Sequence, residues 1–312
     1  MDREAVMEQL QGCFLAVPTL FEDDLSLNLD GMRRLIGFLL DSGLRTGNAM
    51  LLVNGATGEF PVLTLEERKQ TAEAVVDAAD GRIPVIVGAQ TSSTLEAIEV
   101  ARHAQSIGAP AAQVSPPFYY QPTEDDVHEH MAAIAKAAPE LGIVAYNTYG
   151  HGFHMSLQTL ERFGDIPQVV AIKWHSTDVI EYQNMLLRFA DRFCMIDNQI
   201  MPVLSRMLGA RGANLHPALF WPEWGLRLWE LLEGRRWEET QAEVGRVLLP
   251  FYDIYGDAFR VTAGEGHVDK LALEMVGLPG GPNRPPTRPL PPVFRERMRS
   301  YILEIGAPLG RG

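Results

Sequence analysis

Lysine is scarce in this chain. Only Lys69, Lys136, Lys173 and Lys270 occur among 312 residues, although lysine and arginine together number 27. Acidic residues number 40, which leaves a formal net charge of −13 at pH 7. So little positive charge argues against nucleic acid or an anionic membrane surface as the main partner. It does not forbid a small anionic substrate, because local donors can outweigh the global field. Cysteine is also rare. Cys13 and Cys194 both lie in apolar runs and suit reduced core residues of a cytosolic protein better than a disulfide. No apolar run approaches the ~20 residues needed to span a bilayer. The first eleven residues are acidic and lack the apolar core of a signal peptide. A cytoplasmic protein is expected. Three enzyme signatures are missing as well. There is no Gly-x-Ser-x-Gly elbow, no dinucleotide fingerprint in a strand-to-helix context, and no lysine at phosphate-loop spacing after the glycines at 55 and 58.

What is present is ample apolar material, 46% of the chain, arranged in alternation. Short apolar runs at 14–17, 49–53, 85–87, 112–114, 143–146, 169–173, 193–196 and 212–215 read as strands. Amphipathic segments lie between them. A helix over 64–79 opens Thr64-Leu65-Glu66-Glu67, a capping-box spacing. A second over 94–107 stops at Gly108. A third over 123–138 opens Pro122-Thr123-Glu124-Asp125. Strands recur roughly every 25–35 residues, the length of one βα unit. Eight such units predict an α/β fold, a closed (β/α)8 TIM barrel, over residues 1–222. After Pro222 the pattern becomes helical, at 224–232, 237–255, 268–276 and 293–305, with the proline- and glycine-rich connector 278–286 between the last two. Residues 223–312 are thus expected to form a C-terminal helical region packed on the barrel, without obvious chemistry of its own.

Function in such a barrel collects at the C-terminal strand ends. Those ends carry Asn54-Gly55-Ala56-Thr57-Gly58-Glu59, Ser115-Pro116-Pro117-Phe118-Tyr119-Tyr120, Tyr146-Asn147 and Lys173. Lys173 is the lysine that differs from the rest. It ends the β-branched run Val169-Val170-Ala171-Ile172 and is followed by Trp174, whereas the other three sit in polar, helix-like stretches. An ammonium at the end of a strand buried on both faces is poorly solvated. Its neutral amine is favoured and becomes a nucleophile able to form a Schiff base with a carbonyl. The competing reading is a strand-end lysine reaching out to solvent. Tyr146 can serve as a proton shuttle or be a buried tyrosine with a backbone partner. The 55–58 turn can present backbone N–H groups to a carboxylate, with the Thr57 hydroxyl added, or be an ordinary glycine-rich loop. His151, His154 and His175 lack a diagnostic metal spacing and read as loop histidines. No metal and no cofactor are expected.

Taken in order, Gly55-Ala56-Thr57-Gly58-Glu59-Phe60, Leu63-Thr64-Leu65-Glu66-Glu67-Arg68, Pro117-Phe118-Tyr119-Tyr120, Tyr146-Asn147, Ile172-Lys173 and Leu278-Pro279-Gly280-Gly281-Pro282 resemble the dihydrodipicolinate synthase / N-acetylneuraminate lyase superfamily. The match runs over nearly the whole chain, from about residue 12 to residue 305. The resemblance implies a (β/α)8 barrel with a C-terminal helical extension, often a homo-oligomer such as a dimer or tetramer. It also implies a class I lyase or aldolase that forms an imine with pyruvate or another 2-oxo acid. Lys173 matches the imine-forming lysine and Tyr146 the proton-relaying tyrosine. Thr57, with Gly55, Ala56 and Gly58, matches the loop that holds the 2-oxo acid carboxylate. Tyr119 matches the tyrosine that reaches a neighbouring subunit's site, and Asn147, His151 and Trp174 fall on site-lining positions.

The departures bear on substrate choice. The synthases usually carry two adjacent threonines where this chain has Ala56-Thr57, so one relay hydroxyl is gone. They also carry an arginine shortly after the tyrosine, where the acceptor's carboxylate binds. Here the segment reads Tyr149-Gly150-His151-Gly152-Phe153-His154, and a bidentate carboxylate partner is missing. Phe60, Tyr149, Phe153 and Trp174 suit either an aromatic pocket or barrel-rim packing. The expected partners are a small 2-oxo acid and an aldehyde of aromatic or hydroxy character. The alternatives are a Schiff-base dehydratase, hydratase or decarboxylase acting on a 2-keto-3-deoxy sugar acid, or a catalytically silent binding barrel.

Overall fold

The structure, a computed structural model, describes residues 1–148 and 153–310. Eight strands close into a barrel in sequence order: β1 (Gly12–Ala16), β2 (Ala49–Val53), β3 (Val85–Gly88), β4 (Ala111–Val114), β5 (Gly142–Asn147), β6 (Val169–Trp174), β7 (Cys194–Asp197) and β8 (Gly212–Asn214). The pairing is parallel, and β8 returns to β1 through Gly212 opposite Gly12. This is the (β/α)8 barrel expected from the spacing. The strands read as continuous apolar runs because helices cover the outer face while side chains fill the interior. Boundaries differ from the sequence reading by a residue or two, as at 14–17 and 193–196.

The helices begin where their caps dictate. Thr64 and Thr123 each close a reciprocal capping box, with Glu67 and Asp126. Helix Thr94–Ser106 begins where the pattern places it, capped by the Ser93 hydroxyl, which accepts from the Glu96 N–H. The single helix expected over 237–255 is instead Trp237–Glu243, a π-helical segment Val244–Leu248, and Leu249–Val261. Pro250 lies in the first turn of the last piece. It has no N–H to donate and its ring crowds the preceding turn, so a wide turn ahead of it relieves the conflict. No helix among the described residues is long and apolar enough to cross a membrane.

The chain divides into two compact units. One comprises Met1–Phe14, Thr46–Leu52 and Pro84–Asn214; the other comprises Leu15–Arg45, Val53–Ile83 and Leu215–Gly312. In the first unit, Val6, Leu10, Phe14, Met50, Leu52, Ile86, Val144, Ala171 and Ile196 share one apolar cluster. The N-terminal helix Arg3–Gln9 seals it. Arg3 donates to the carbonyls of Pro167 (2.8 Å) and Arg192 (2.7 Å). Neither cysteine is in a disulfide and both are fully buried, and burial pushes each thiol up to about 12, so neither is a ready thiolate.

In the second unit, the C-terminal segment grips the residues that follow β2. Lys270 Nζ lies 2.5 Å from Glu59 Oε1 and donates to the Pro282 carbonyl at 2.7 Å. Asn283 Nδ2 (2.8 Å) and the Arg284 N–H (3.1 Å) also donate to the Glu59 carboxylate. Both side chains of the pair are almost wholly buried, 2% and 3% exposed. Burial pushes Glu59 up and Lys270 down, and each charge opposes the shift of the other. Arg284 forms a two-pronged pair with Glu67, at 2.8 and 2.6 Å, beneath the ring of Phe21.

Two outcomes follow from this grip. Lys270→Met leaves the Glu59 carboxylate buried without its cation. It should cost about 3–5 kcal/mol in urea unfolding, with part recovered in the Lys270→Met/Glu59→Gln double variant. Glu67 is held down to about 2, chiefly by hydrogen bonds from Arg284, against an ordinary value of 4.5. A depressed carboxylate contributes stability that is complete above its unfolded value and lost as pH falls through the folded one. The urea midpoint of the wild type should therefore fall between pH 4.5 and 2, and that of Arg284→Met should fall less.

Candidate active site

Lys173 lies one residue before the end of β6. Its register partner on β5 is Tyr146, and on β7 it is Ile196. Side chains alternate along a strand, so register partners in a barrel share a face. Lys173 and Tyr146 accordingly meet. The Lys173 Nζ sits 4.8 Å from the Tyr146 ring centroid and 4.4 Å from that of Phe14 on β1. The lysine is only 5% exposed, so the strand-end escape to solvent is not what the chain adopts. Tyr146 is half-buried, the one such position in an otherwise buried β5. The site thus pairs an amine largely stripped of water with a phenol, both at the C-terminal ends of adjacent strands.

The same alternation sends Trp174 and Asn147, themselves register partners, to the other face. Trp174 is fully buried with the His154 ring edge-on against it at 5.4 Å, so the structure places it apart from Lys173. Asn147 is a staple. Its amide nitrogen bonds His154 Nδ1 (3.0 Å) and the His175 carbonyl (3.2 Å), and its oxygen accepts from the Met155 N–H (2.9 Å). His151 and Tyr149 lie outside the described residues. Tyr119 is 82% exposed and packs edge-on against exposed Tyr120 at 5.3 Å. The backbone there is held by Ser92, whose hydroxyl accepts from the N–H groups of Phe118 (3.3 Å) and Tyr119 (3.1 Å).

The turn after β2 belongs to the second unit. The Glu59 N–H donates to the Ala56 carbonyl (2.9 Å) and the Phe60 N–H to the Gly55 carbonyl (3.4 Å). The Gly58 carbonyl accepts from the Thr19 hydroxyl at 2.7 Å. In a trans peptide the C=O and the following N–H point in opposite directions. With the Gly55 and Ala56 carbonyls turned into the loop, the Ala56 and Thr57 N–H groups face the other way, the orientation a carboxylate site needs. Thr57 is buried, and its hydroxyl donates to Glu265 Oε2 at 3.2 Å.

His175, read from the sequence as a loop histidine, follows Trp174, and its N–H donates to the Asn147 carbonyl, extending the β5–β6 ladder by one residue. Burial, then the charges of Lys173 and His154, lower its pKa below the ordinary histidine value. Two further polar residues, Glu181 and Asp197, were not singled out from the sequence. Glu181 ties this rim together, bonded to His154 Nε2 (2.9 Å) and the Ser176 hydroxyl (2.6 Å). Asp197 ends β7 fully buried, with Tyr182 Oη (2.6 Å), Ser205 Oγ (2.9 Å) and the N–H groups of Gln199 and Met201 donating to it. One signal could have found it, since it is a lone acid ending an apolar strand, as Lys173 is a lone base. Among the described residues, no group of three or more histidine, cysteine, aspartate or glutamate side chains could hold a metal ion.

Fold and strand-end chemistry together define a (β/α)8-barrel protein with a buried lysine beside a half-buried tyrosine at the C-terminal strand ends. The family model described as "Dihydrodipicolinate synthetase family" matches residues 9–303. A 4-hydroxy-tetrahydrodipicolinate synthase of Prochlorococcus marinus is 32% identical over 298 residues, covering 93% of each protein. One of Thermus thermophilus is 30% identical over 302 residues, covering 95% of this chain and 96% of that one. The dihydrodipicolinate synthase of Acinetobacter baumannii, solved in complex with pyruvate, superposes with a TM-score of 0.85 at 25% identity, covering 96% of this chain and 99% of that one. The chain belongs to the dihydrodipicolinate synthetase family and is a lyase-type enzyme.

Asn147→Asp tests the staple. A carboxylate keeps the acceptor for Met155 but loses both donor bonds, so the protein should lose about 2–4 kcal/mol in chemical denaturation.

Proposed function

We propose that this protein is a class I aldolase or lyase in which Lys173 forms a Schiff base with pyruvate or a related 2-oxo acid. The observation that carries the reading is the Lys173 amine, 5% exposed and 4.8 Å from the ring of its register partner Tyr146. The neutral amine adds to the ketone carbon. The resulting carbinolamine loses water, and the imine takes up the electron pair of an adjacent bond as that bond breaks, passing through an enamine. Each of these steps moves a proton at the nitrogen or the departing oxygen, and Tyr146 is the group that carries it. The N–H groups of the 55–58 turn and Thr57 hold the substrate's carboxylate. Pyruvate as the 2-oxo acid accords with the Acinetobacter relative, which was solved in complex with pyruvate. The exposed Tyr119–Tyr120 pair suits contact with a second copy of the chain, and a homo-oligomer is the expected assembly.

Ala56 and the lack of arginine across 149–154 point away from an acceptor that carries its own carboxylate near the tyrosine. An aldehyde with aromatic or hydroxyl character fits better. The second reading, imine-driven dehydration of a 2-keto-3-deoxy sugar acid, rests on the same Ala56. It is separated by product analysis, because it yields no pyruvate and aldehyde pair.

Borohydride reduction in the presence of pyruvate should add the mass of a reduced pyruvyl group to the peptide containing Lys173, and Lys173→Ala should show no such adduct. An active protein whose Lys173 stays unmodified would refute the reading. Tyr146→Phe should still bind pyruvate but turn over about 10²–10⁴-fold more slowly, the usual contribution of a positioned proton carrier.

A further inference from the structure

The hydroxyl of Thr57 has one proton to give. Glu265 Oε2 accepts from it at 3.2 Å and also accepts from the Tyr255 hydroxyl at 3.4 Å, and the Tyr255 hydroxyl itself lies within hydrogen-bonding reach of Thr57. Glu265 lies between two glycines that both have left-handed backbones, Gly264 at φ +98° and Gly266 at φ +87°. A Cβ on Gly266 would stand 2.5 Å from the Thr57 carbonyl, and one on Gly264 would stand 2.1 Å from the Thr287 hydroxyl. Only glycine lets this backbone lie so close to the turn. The Glu265 carbonyl accepts from Asn283 Nδ2 at 3.3 Å, and that same amide also pins Glu59 at the far end of the turn. Tyr255 is fully buried. Burial first, then the charges of Glu265 and Asp269, raise its pKa well above the ordinary value, so it stays a donor.

We propose that Glu265 is a specificity-determining residue: its carboxylate competes with the carboxylate of the 2-oxo acid for the Thr57 hydroxyl and holds down the affinity of the 55–58 turn for anions. This deepens the reading above and rests on its assignment of the turn to the substrate carboxylate. A ligand carboxylate at the Thr57 N–H meets the hydroxyl from the side of its lone pairs while the proton is directed at Glu265. To gain that donor the ligand must take the proton from a charge-assisted bond, and it meets a second negative charge one hydroxyl away. A neutral ketone faces neither obstacle.

Calorimetric titration with pyruvate and with methyl pyruvate, its uncharged ester, reads the effect without requiring the imine. Glu265→Gln keeps the shape and removes the charge. It should tighten pyruvate roughly tenfold, the size of a one-unit electrostatic effect, and leave methyl pyruvate within about twofold. In a Thr57→Val background the same substitution should tighten pyruvate by only about twofold, because the contested proton is gone. The proposal is overturned if Glu265→Gln binds pyruvate no more tightly than the wild type, if methyl pyruvate gains equally, or if neither protein gives heat with pyruvate. Trapping at Lys173, run on the same samples, decides the Schiff-base reading separately.

Discussion

Two ammonium groups are buried in this protein, and the chain surrounds them differently. Lys270 faces the Glu59 carboxylate at 2.5 Å and adds a backbone carbonyl, so its charge is met by full hydrogen bonds. Lys173 faces the ring planes of Phe14 and Tyr146 at 4.4 and 4.8 Å. An aromatic face attracts a cation, but more weakly than a carboxylate does in the same dry surroundings. The placement follows from the barrel. Closed parallel strands force alternate side chains inward, and register then decides which inward groups meet.

Much of this was legible before any coordinates. The eight apolar runs, their spacing and the capping residues led to the barrel, because each strand is buried on both faces and so reads as an unbroken apolar run. Lys173 and Tyr146 stood out for the same reason, as polar residues at the ends of such runs. Less legible was which side of its strand each neighbour takes. Trp174 and Asn147 adjoin the key residues in sequence, yet the period of two puts both on the opposite face, against His154. Adjacency in sequence suggested pocket walls, and alternation made them struts.

The C-terminal region was the harder part. Its amphipathic pattern announced helices, and nothing in the pattern announced chemistry. Yet Glu265, Lys270, Asn283 and Arg284 all reach the stretch between Thr57 and Glu67. These contacts join residues more than two hundred positions apart, and single-sequence periodicity carries no information about such pairing. A weak signal did exist. Lys270 is one of only four lysines in the chain, and Gly264-Glu265-Gly266 puts an acid between two residues suited to left-handed backbone. Both are compositional oddities, whose meaning appears only once the partner is known.

The Ala56-Thr57 pair takes on more weight in this light. A turn with two hydroxyls can devote one to internal bonds and keep the other for a ligand. A turn with one hydroxyl cannot do both at once, and here that hydroxyl donates to a carboxylate that two left-handed glycines press against it. On the proposed reading, the backbone N–H groups, turned outward because the Gly55 and Ala56 carbonyls are bonded inward, would be the constant part of the carboxylate contact, and the hydroxyl the adjustable part. Under the proposed Schiff-base chemistry, such an adjustable element would let the affinity for one end of the substrate change while Lys173 and Tyr146 remain in register.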